Sequence, residues 1–352
     1  MKIQDHMTEQ PYGVLLLNTG SSSAPEVRET RAYLKQFLSD PRIIDIPAWK
    51  RWILVNLIIL PLRPKRTAAA YKAIWTERGS PLIAISEDCR DALSKELINV
   101  PVALGMAYGT PSIEDGIDAL INLGVNHLII VPLFPQFASA TTGAVLNRVY
   151  EYCGTKWNVP TLSVVPPFYN DPDYLDSWAS VARPYLIDFN PDKVLFSFHG
   201  LPERQILKAD KSGKHCLLQK NCCDMPVRDN QLCYRRHCMV TAHALVDKLG
   251  MSAEQYTVSF QSRLGRDAWL EPSTEDTIVK LANDGIKRLA IISPAFVADC
   301  LETLEELGMA AKEKFLEAGG EDFVLIPSLN THPGWIETLS KLVRQAAGSV
   351  CR

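Results

Sequence analysis

The sequence predicts an α/β fold of two similar doubly wound domains, each a four-stranded parallel sheet flanked by helices. Three observations lead there. The chain has 352 residues, more than one hydrophobic core usually serves. Short apolar runs rich in β-branched residues alternate with helical patterns, as buried parallel strands do. The runs fall into two sets of four.

The first set reads GVLLLN (13–18), VPVALGMAY (100–108), HLIIVPLF (127–134) and TLSVVPPF (161–168). The second reads KVLFSFH (193–199), YTVSFQS (256–262), RLAIISPAF (288–296) and FVLIPSL (323–329). Between them lie helical stretches such as SIEDGIDALINLG (112–124), SWASVARPYLIDF (177–189) and STEDTIVKLANDG (273–285). A change of unit near Asp171 to Asp173 puts the first domain at 11–170 and the second at 171–331. The remaining segment, 332–352, carries the helix GWIETLSKLVRQAAG, which has no strand left to feed and is expected to pack back on one domain or bridge both.

A net charge of −3 and a pI near 6.2 give no global basic field for nucleic acid. The polar start MKIQDHMTEQPYG offers no apolar run of signal-peptide length, so a cytoplasmic protein is expected. One segment qualifies that expectation. WKRWILVNLIILPLRPKR (49–66) is apolar, flanked by Lys50, Arg51, Arg63, Lys65 and Arg66, and too short to span a bilayer. It suits a helix at the inner face of a membrane, the lip of an apolar pocket, or a core helix with solvated ends.

In open parallel sheets chemistry sits beyond the carboxyl ends of the strands. NTGSSS, after the first run, has one glycine and no downstream GK, so it is a weak phosphate loop and a better helix cap. His199 closes KVLFSFH, and Gly200 and Pro202 then turn the chain out of the sheet. If 298–307 is α-helical, Asp299, Glu302 and Glu306 share one face, with Glu305 beside them. On an exposed face such a row is a solvated stripe. In a crevice, a neutral imidazole facing carboxylates can accept protons, relay them or hold a divalent cation.

FSFHGLPER, QSRLGRDAWLEPST and PAFVADCLETLEEL, with LLLNTG, YLKQFLSDPRIIDIP, YKAIWTERGSPL and VPLFPQF, make the chain resemble the ferrochelatases almost end to end. The resemblance implies a pair of Rossmann-like, chelatase-type domains and a lyase that inserts Fe(II) into protoporphyrin IX, releasing two protons, in haem biosynthesis. It places the family's active-site histidine on His199 and its glutamate on Glu302, both also candidates to contact the substrate iron. Asp299 and Glu306 correspond to the acidic path, and Trp269 to a tryptophan near the porphyrin. Three departures bear on the porphyrin edge: Ala107 in place of arginine, Phe134 and Phe137 in place of tyrosines, and Ala138 in place of serine. Protoporphyrin is the expected substrate over coproporphyrin. The alternatives are a cobalt or nickel chelatase and a haem or metal sensor without turnover.

HCLLQKNCCDMPVRDNQLCYRRHC holds five of the nine cysteines, Cys216, Cys222, Cys223, Cys233 and Cys238, within an insertion at 210–238. The spacing C-x5-CC-x9-C-x4-C matches neither a plant-type ferredoxin nor a zinc ribbon. Some ferrochelatases resemble this chain in carrying an internal cysteine-rich insertion that binds a 2Fe-2S cluster, which implies that four of the five ligate. Either of the adjacent Cys222 and Cys223 could be the spare. Structural zinc, a disulfide and free thiols stay open, as does mixed ligation by His215 or His237. Cys89, Cys153 and Cys351 look isolated, and Cys300 is read as a packing residue.

Overall fold

The computed structural model describes residues 12–348 apart from 264 and 266. Cys351, residue 11 and the end of the 332–352 segment lie outside the described residues, as do two positions of the QSRLGRDAWL motif.

All eight expected strands form, in two parallel sheets of identical topology. The first contains β1 (Tyr12–Gly20), β2 (Val102–Tyr108), β3 (His127–Pro132) and β4 (Thr161–Val164), in the order β2-β1-β3-β4. The second contains β5 (Lys193–His199), β6 (Tyr256–Gln261), β7 (Arg288–Ile292) and β8 (Asp322–Leu325), in the order β6-β5-β7-β8. Several strands stop earlier than their apolar runs. β4 ends before Pro166 and Pro167, β7 before Pro294, and β8 before Pro327, because proline has no N–H to give the ladder.

Alternation along the strands divides the core. Val14 and Leu16 of β1 and Phe196 and Phe198 of β5 belong to one continuous cluster that draws on both sheets, together with Trp178 and Trp335. Leu15 and Leu17 face a second cluster outside the first sheet, and Leu195 a third outside the second. The helix Pro172–Phe189 connects the halves. Asp171 caps it by accepting the N–H groups of Asp173 and Tyr174 at 3.0 and 3.1 Å.

The last helix, Pro333–Gly348, packs on both Pro81–Glu96 of the first half and Pro172–Phe189. Trp335, fully buried, meets Phe168 and Tyr174 at ring-centroid distances of 5.6 and 6.1 Å. Truncating a side chain so placed to alanine costs on the order of 3–5 kcal/mol. The helix is therefore a strut across the join.

Candidate active site

Strand β5 carries His199 to its carboxyl end, where the ring is half-buried and lies 6.4 Å from the Phe296 ring. His199 Nδ1 is 2.7 Å from the Gly200 carbonyl oxygen. A carbonyl can only accept, so Nδ1 carries the proton, and in the neutral ring Nε2 keeps the lone pair. The tautomer is thus set for a base.

Gly200 is required by close approach: its N–H donates to the Gln261 carbonyl at 2.7 Å, and a Cβ would sit 2.7 Å from that same oxygen. It would also meet the indole of Trp269 at 3.3 Å, which places the half-buried Trp269 directly beside the histidine turn. Trp269 is fixed there by bridge pairing with Pro202.

Opposite the strand ends runs a helix that differs from the expected one. It starts at Leu301 and is π-helical over Glu302–Ala311, a rare winding that recurs at functional sites. Asp299 lies before it rather than on its face. Its Oδ1 accepts from the Thr303 hydroxyl at 3.0 Å and the Ser328 N–H at 3.2 Å, and its Oδ2 accepts from Asn330 at 2.8 Å. Buried and hydrogen-bonded by three neighbours, Asp299 organises the helix start, while Glu302 and Glu306 lie on the helix itself.

Two residues at the end of β6 hold that helix. Gln261, buried, donates to the Glu302 carbonyl at 3.0 Å and accepts from the Ser197 hydroxyl at 2.9 Å. Ser262 donates to Glu306 Oε2 at 2.7 Å from a left-handed backbone, φ 68°. A non-glycine residue held there costs on the order of 1–3 kcal/mol, strain of the kind that collects at functional sites. Sequence reasoning passed over both; a serine after a strand reads as an ordinary turn.

Burial pushes the Glu306 carboxyl above the usual glutamate range, the Ser262 hydrogen bond and the His199 charge pull it back, and the Glu302 charge raises it further. These influences show His199, Glu302 and Glu306 within one electrostatic neighbourhood. The first half supplies the facing wall. Burial raises the Tyr71 phenol, and the Glu302 charge adds to it. Tyr33 stands edge-on to Tyr71 at 6.3 Å and donates to the Gly20 carbonyl at 3.1 Å. Arg63 is lowered first by burial and then by Arg66, with Glu306 opposing. The helix Pro64–Ile74 packs against the π-helix, so the basic end of the 49–66 segment lies over the carboxylates. Tyr33 and Tyr71 carried no signal in the sequence beyond being aromatic.

A histidine with a directed lone pair, two close carboxylates and an aromatic wall between two doubly wound sheets suit proton removal beside a cation. The ferrochelatase sequence profile matches residues 11–347. The chain belongs to the ferrochelatase family. It is 43% identical over 335 residues to the ferrochelatase of Coxiella burnetii (strain Dugway 5J108-111), covering 95% of this chain and 93% of that one. It is 44% identical over 336 residues to the ferrochelatase of Ectopseudomonas mendocina (strain ymp), covering 95% and 98%. Among solved structures it resembles SirB from Bacillus subtilis with Fe3+, at 14% identity, TM-score 0.54 and 96% coverage of both chains. It also resembles the sirohydrochlorin chelatase SirB of Bacillus subtilis subspecies spizizenii in complex with cobalt, at 9% identity, TM-score 0.55 and 97% coverage of both. Those two likenesses establish the chelatase-type fold. As a ferrochelatase the protein is a lyase of haem synthesis, a porphyrin metal chelatase whose substrate metal is Fe2+.

Of the departures from the ferrochelatase pattern, Phe134 and Phe137 are half-buried and Ala107 and Ala138 fully so. The Phe137 N–H donates to His237 Nδ1 at 3.1 Å. None offers a polar group to a porphyrin edge.

In the lip segment Val55, Ile59 and Leu60 turn inward, while Trp49, Trp52, Leu57, Ile58 and Leu62 are exposed. A core helix with solvated ends would show the reverse, so that reading is corrected. Among the described residues no helix is long and apolar enough to cross a membrane.

The cysteine-rich loop is anchored by Asp210, whose carboxylate accepts the N–H groups of Ser212, His215 and Cys216 at 2.9 Å each. These bonds and the Ser212 hydroxyl hold its carboxyl below the usual range. Cys222 Sγ lies 3.9 Å from Cys223 Sγ, the Cys216 thiol faces the Asp229 carbonyl at 3.9 Å, and Cys233 is near enough to Cys216 and Cys223 to shift both thiols. All five thiols are buried and free of disulfides, as is Cys300. Cys238 stands apart, its thiol against the Tyr234 hydroxyl. Among the described residues no group of three or more His, Cys, Asp or Glu converges on a single metal position. His237 is committed elsewhere: Nε2 donates to the Gln231 carbonyl at 2.8 Å, Nδ1 accepts from Phe137, and desolvation lowers its pKa to about 4. His215 Nε2 donates to the Cys222 carbonyl at 2.9 Å.

Proposed function

We propose that the enzyme inserts Fe(II) into protoporphyrin IX, with His199 Nε2 accepting the pyrrole protons and Glu302 and Glu306 taking them onward or receiving the metal. The observation that carries this reading is the Nδ1 to Gly200 carbonyl contact, which leaves Nε2 as the basic nitrogen beside two carboxylates. Metallation needs two protons removed, water stripped from the cation, and a flat ring bent so that its nitrogens become accessible. A base with its lone pair directed serves the first need. Partly buried carboxylates can replace the water on a hard cation. Trp269 and Phe296 form an apolar wall against which a distorted macrocycle can be held at the expense of peripheral binding energy. Asp299 serves this scheme by fixing the start of the π-helix.

The largely apolar surroundings of Ala107, Phe134, Phe137 and Ala138 favour the less acidic protoporphyrin over coproporphyrin. The test is an anaerobic assay of Fe(II) with each porphyrin, read by the Soret band. Faster turnover of coproporphyrin would refute the substrate choice, and cobalt or nickel insertion in preference to iron would refute the metal. Tight porphyrin binding with no turnover would favour the sensor.

For the exposed tryptophans of the lip, ringed by Lys50, Arg51, Lys65 and Arg66, we propose peripheral contact with an anionic membrane on the cytoplasmic side. Replacing Trp49 and Trp52 by serine should then abolish sedimentation with phosphatidylglycerol vesicles without lowering kcat. Unchanged sedimentation would sink this reading.

Cys216, Cys222, Cys223 and Cys233 fit a 2Fe-2S cluster by donor chemistry, and we propose them as its ligands, with Cys238 the spare. They are buried, neighbouring thiols, and N–H donors already aim at two of their sulfurs: Leu217 N–H at Cys222 (3.4 Å) and the Arg235 guanidinium at Cys223 (3.1 Å). Bound there, the cluster would supply a redox-active tie for a loop with little apolar content. Visible bands that bleach with dithionite in the isolated protein, and that survive Cys238→Ser but not Cys223→Ser, are the expected result. Stoichiometric zinc without colour would overturn it.

A further inference from the structure

The peptide unit joining His199 to Gly200 is clamped at both ends. Its N–H, from Gly200, donates to the Gln261 carbonyl at 2.7 Å, and its carbonyl, from His199, accepts the hydroxyl proton of Tyr234 at 2.8 Å. This plane sets the direction of the His199 side chain and also the start of the residue whose carbonyl orients Nδ1. The first clamp belongs to the sheet. The second comes from outside it.

Tyr234 opens the helix Tyr234–Leu249 directly after Cys233, so its backbone is the exit of the cysteine-rich loop. The ring is buried in the cluster that also contains Phe198, Leu201, Cys216 and Cys233. Burial raises the phenol well above its ordinary range, so the hydroxyl stays a neutral donor. A buried phenol whose single proton is committed to one carbonyl acts as a rigid strut. One turn further on, His237 reaches the Phe137 N–H of the first half, so the same helix start touches both sides of the crevice.

We propose that Tyr234 is a positioning residue for His199, and that through it the arrangement of the cysteine-rich loop sets the orientation of the imidazole. The proposal rests on His199 as the proton acceptor. It assigns the loop a mechanical route to the site that needs no electron transfer.

The test is steady-state iron insertion by the full-length Tyr234→Phe variant, with its thermal midpoint recorded alongside. Loss of the strut is expected to lower kcat by on the order of 10- to 100-fold while KM for the porphyrin stays within about twofold, because orientation rather than binding is lost. Cys216→Ser, which disturbs the loop within the buried cluster that holds Tyr234, should lower kcat in the unsubstituted background and add nothing on top of Tyr234→Phe. Additive losses would overturn the coupling to the loop. A kcat equal to the unsubstituted enzyme's would overturn the positioning role, as would a fall in kcat matched by a rise in KM. His199→Ala measured in parallel separates the two readings: an active Tyr234→Phe beside an inactive His199→Ala defeats this inference alone, whereas an active His199→Ala defeats both.

Discussion

At the end of β1 the chain closes against its neighbour, and at the end of β5 it opens onto a histidine, although both strands hold the same place in sheets of identical order. In the first sheet the final pair is Gly20 with Tyr108. Gly20, at φ 101°, allows so close an approach that a Cβ would sit 1.8 Å from the Tyr108 carbonyl oxygen, and the Tyr108 hydroxyl donates to Asp40 at 2.8 Å. In the second sheet the matching pair is His199 with Gln261. There Gln261 and Ser262 spend their side chains on the π-helix and so bring Glu302 and Glu306 up to the imidazole. The same topology offers a crevice twice. Side chains at the last register position decide which end is stitched shut and which is left with a histidine facing two carboxylates.

Three substitutions press on that contrast. The largest effect is expected at the open end: His199→Ala should reduce kcat for iron insertion by about 10²- to 10⁴-fold, the usual contribution of a positioned base, with porphyrin affinity retained. A loss below tenfold would make the two strand ends chemically equivalent.

Glu306→Gln should move rate and stability in opposite directions. Burial first of all raises the folded-state pKa of this carboxyl above its unfolded value, so the folded protein holds the proton more readily. Stability is then greatest below the ordinary glutamate range and declines as pH rises through the raised value. The glutamine variant should lose that decline, melting higher than the parent at neutral pH while turning over several-fold more slowly. A lower melting point at neutral pH would mean that Glu306 contributes as a structural ion and not as a strained functional acid.

The smallest effect belongs to the closed end. Tyr108→Phe removes a hydrogen bond to a carboxylate and should cost about 1.5–3 kcal/mol in denaturant unfolding, with kcat near that of the parent. A large loss of turnover without loss of stability would show that the first sheet's end also reaches the reaction.

Much of this was legible beforehand, for identifiable reasons. The eight strands announce themselves because a strand buried on both faces must be largely apolar, and prolines mark where β4, β7 and β8 stop. His199 taken alone read as a structural strand-end histidine, and it stood out only beside the acidic segment after Asp299 and within the FSFHGLPER motif. Asp299 has α-face spacing to Glu302 and Glu306, and that spacing could not show that Thr303, Ser328 and Asn330 hydrogen-bond its oxygens. Cys222 and Cys223 looked interchangeable as the spare thiol; in the fold both sit with Cys216 and Cys233, and Cys238 is the one turned toward Tyr234.

By itself the sequence determined the sheet architecture, the family and the residue types at the strand ends, since these follow from local periodicity and from motifs contiguous along the chain. The tertiary structure alone decided which nitrogen of His199 is basic, that Ser262 holds Glu306, that Tyr33, Tyr71 and Arg63 face the acids, and that Tyr234 ties the cysteine loop to the histidine. The His199 to Gly200 contact is local but held by the Gln261 and Tyr234 clamps, and the others join segments tens to hundreds of residues apart, so distance along the chain carries no information about them until the core has closed around them.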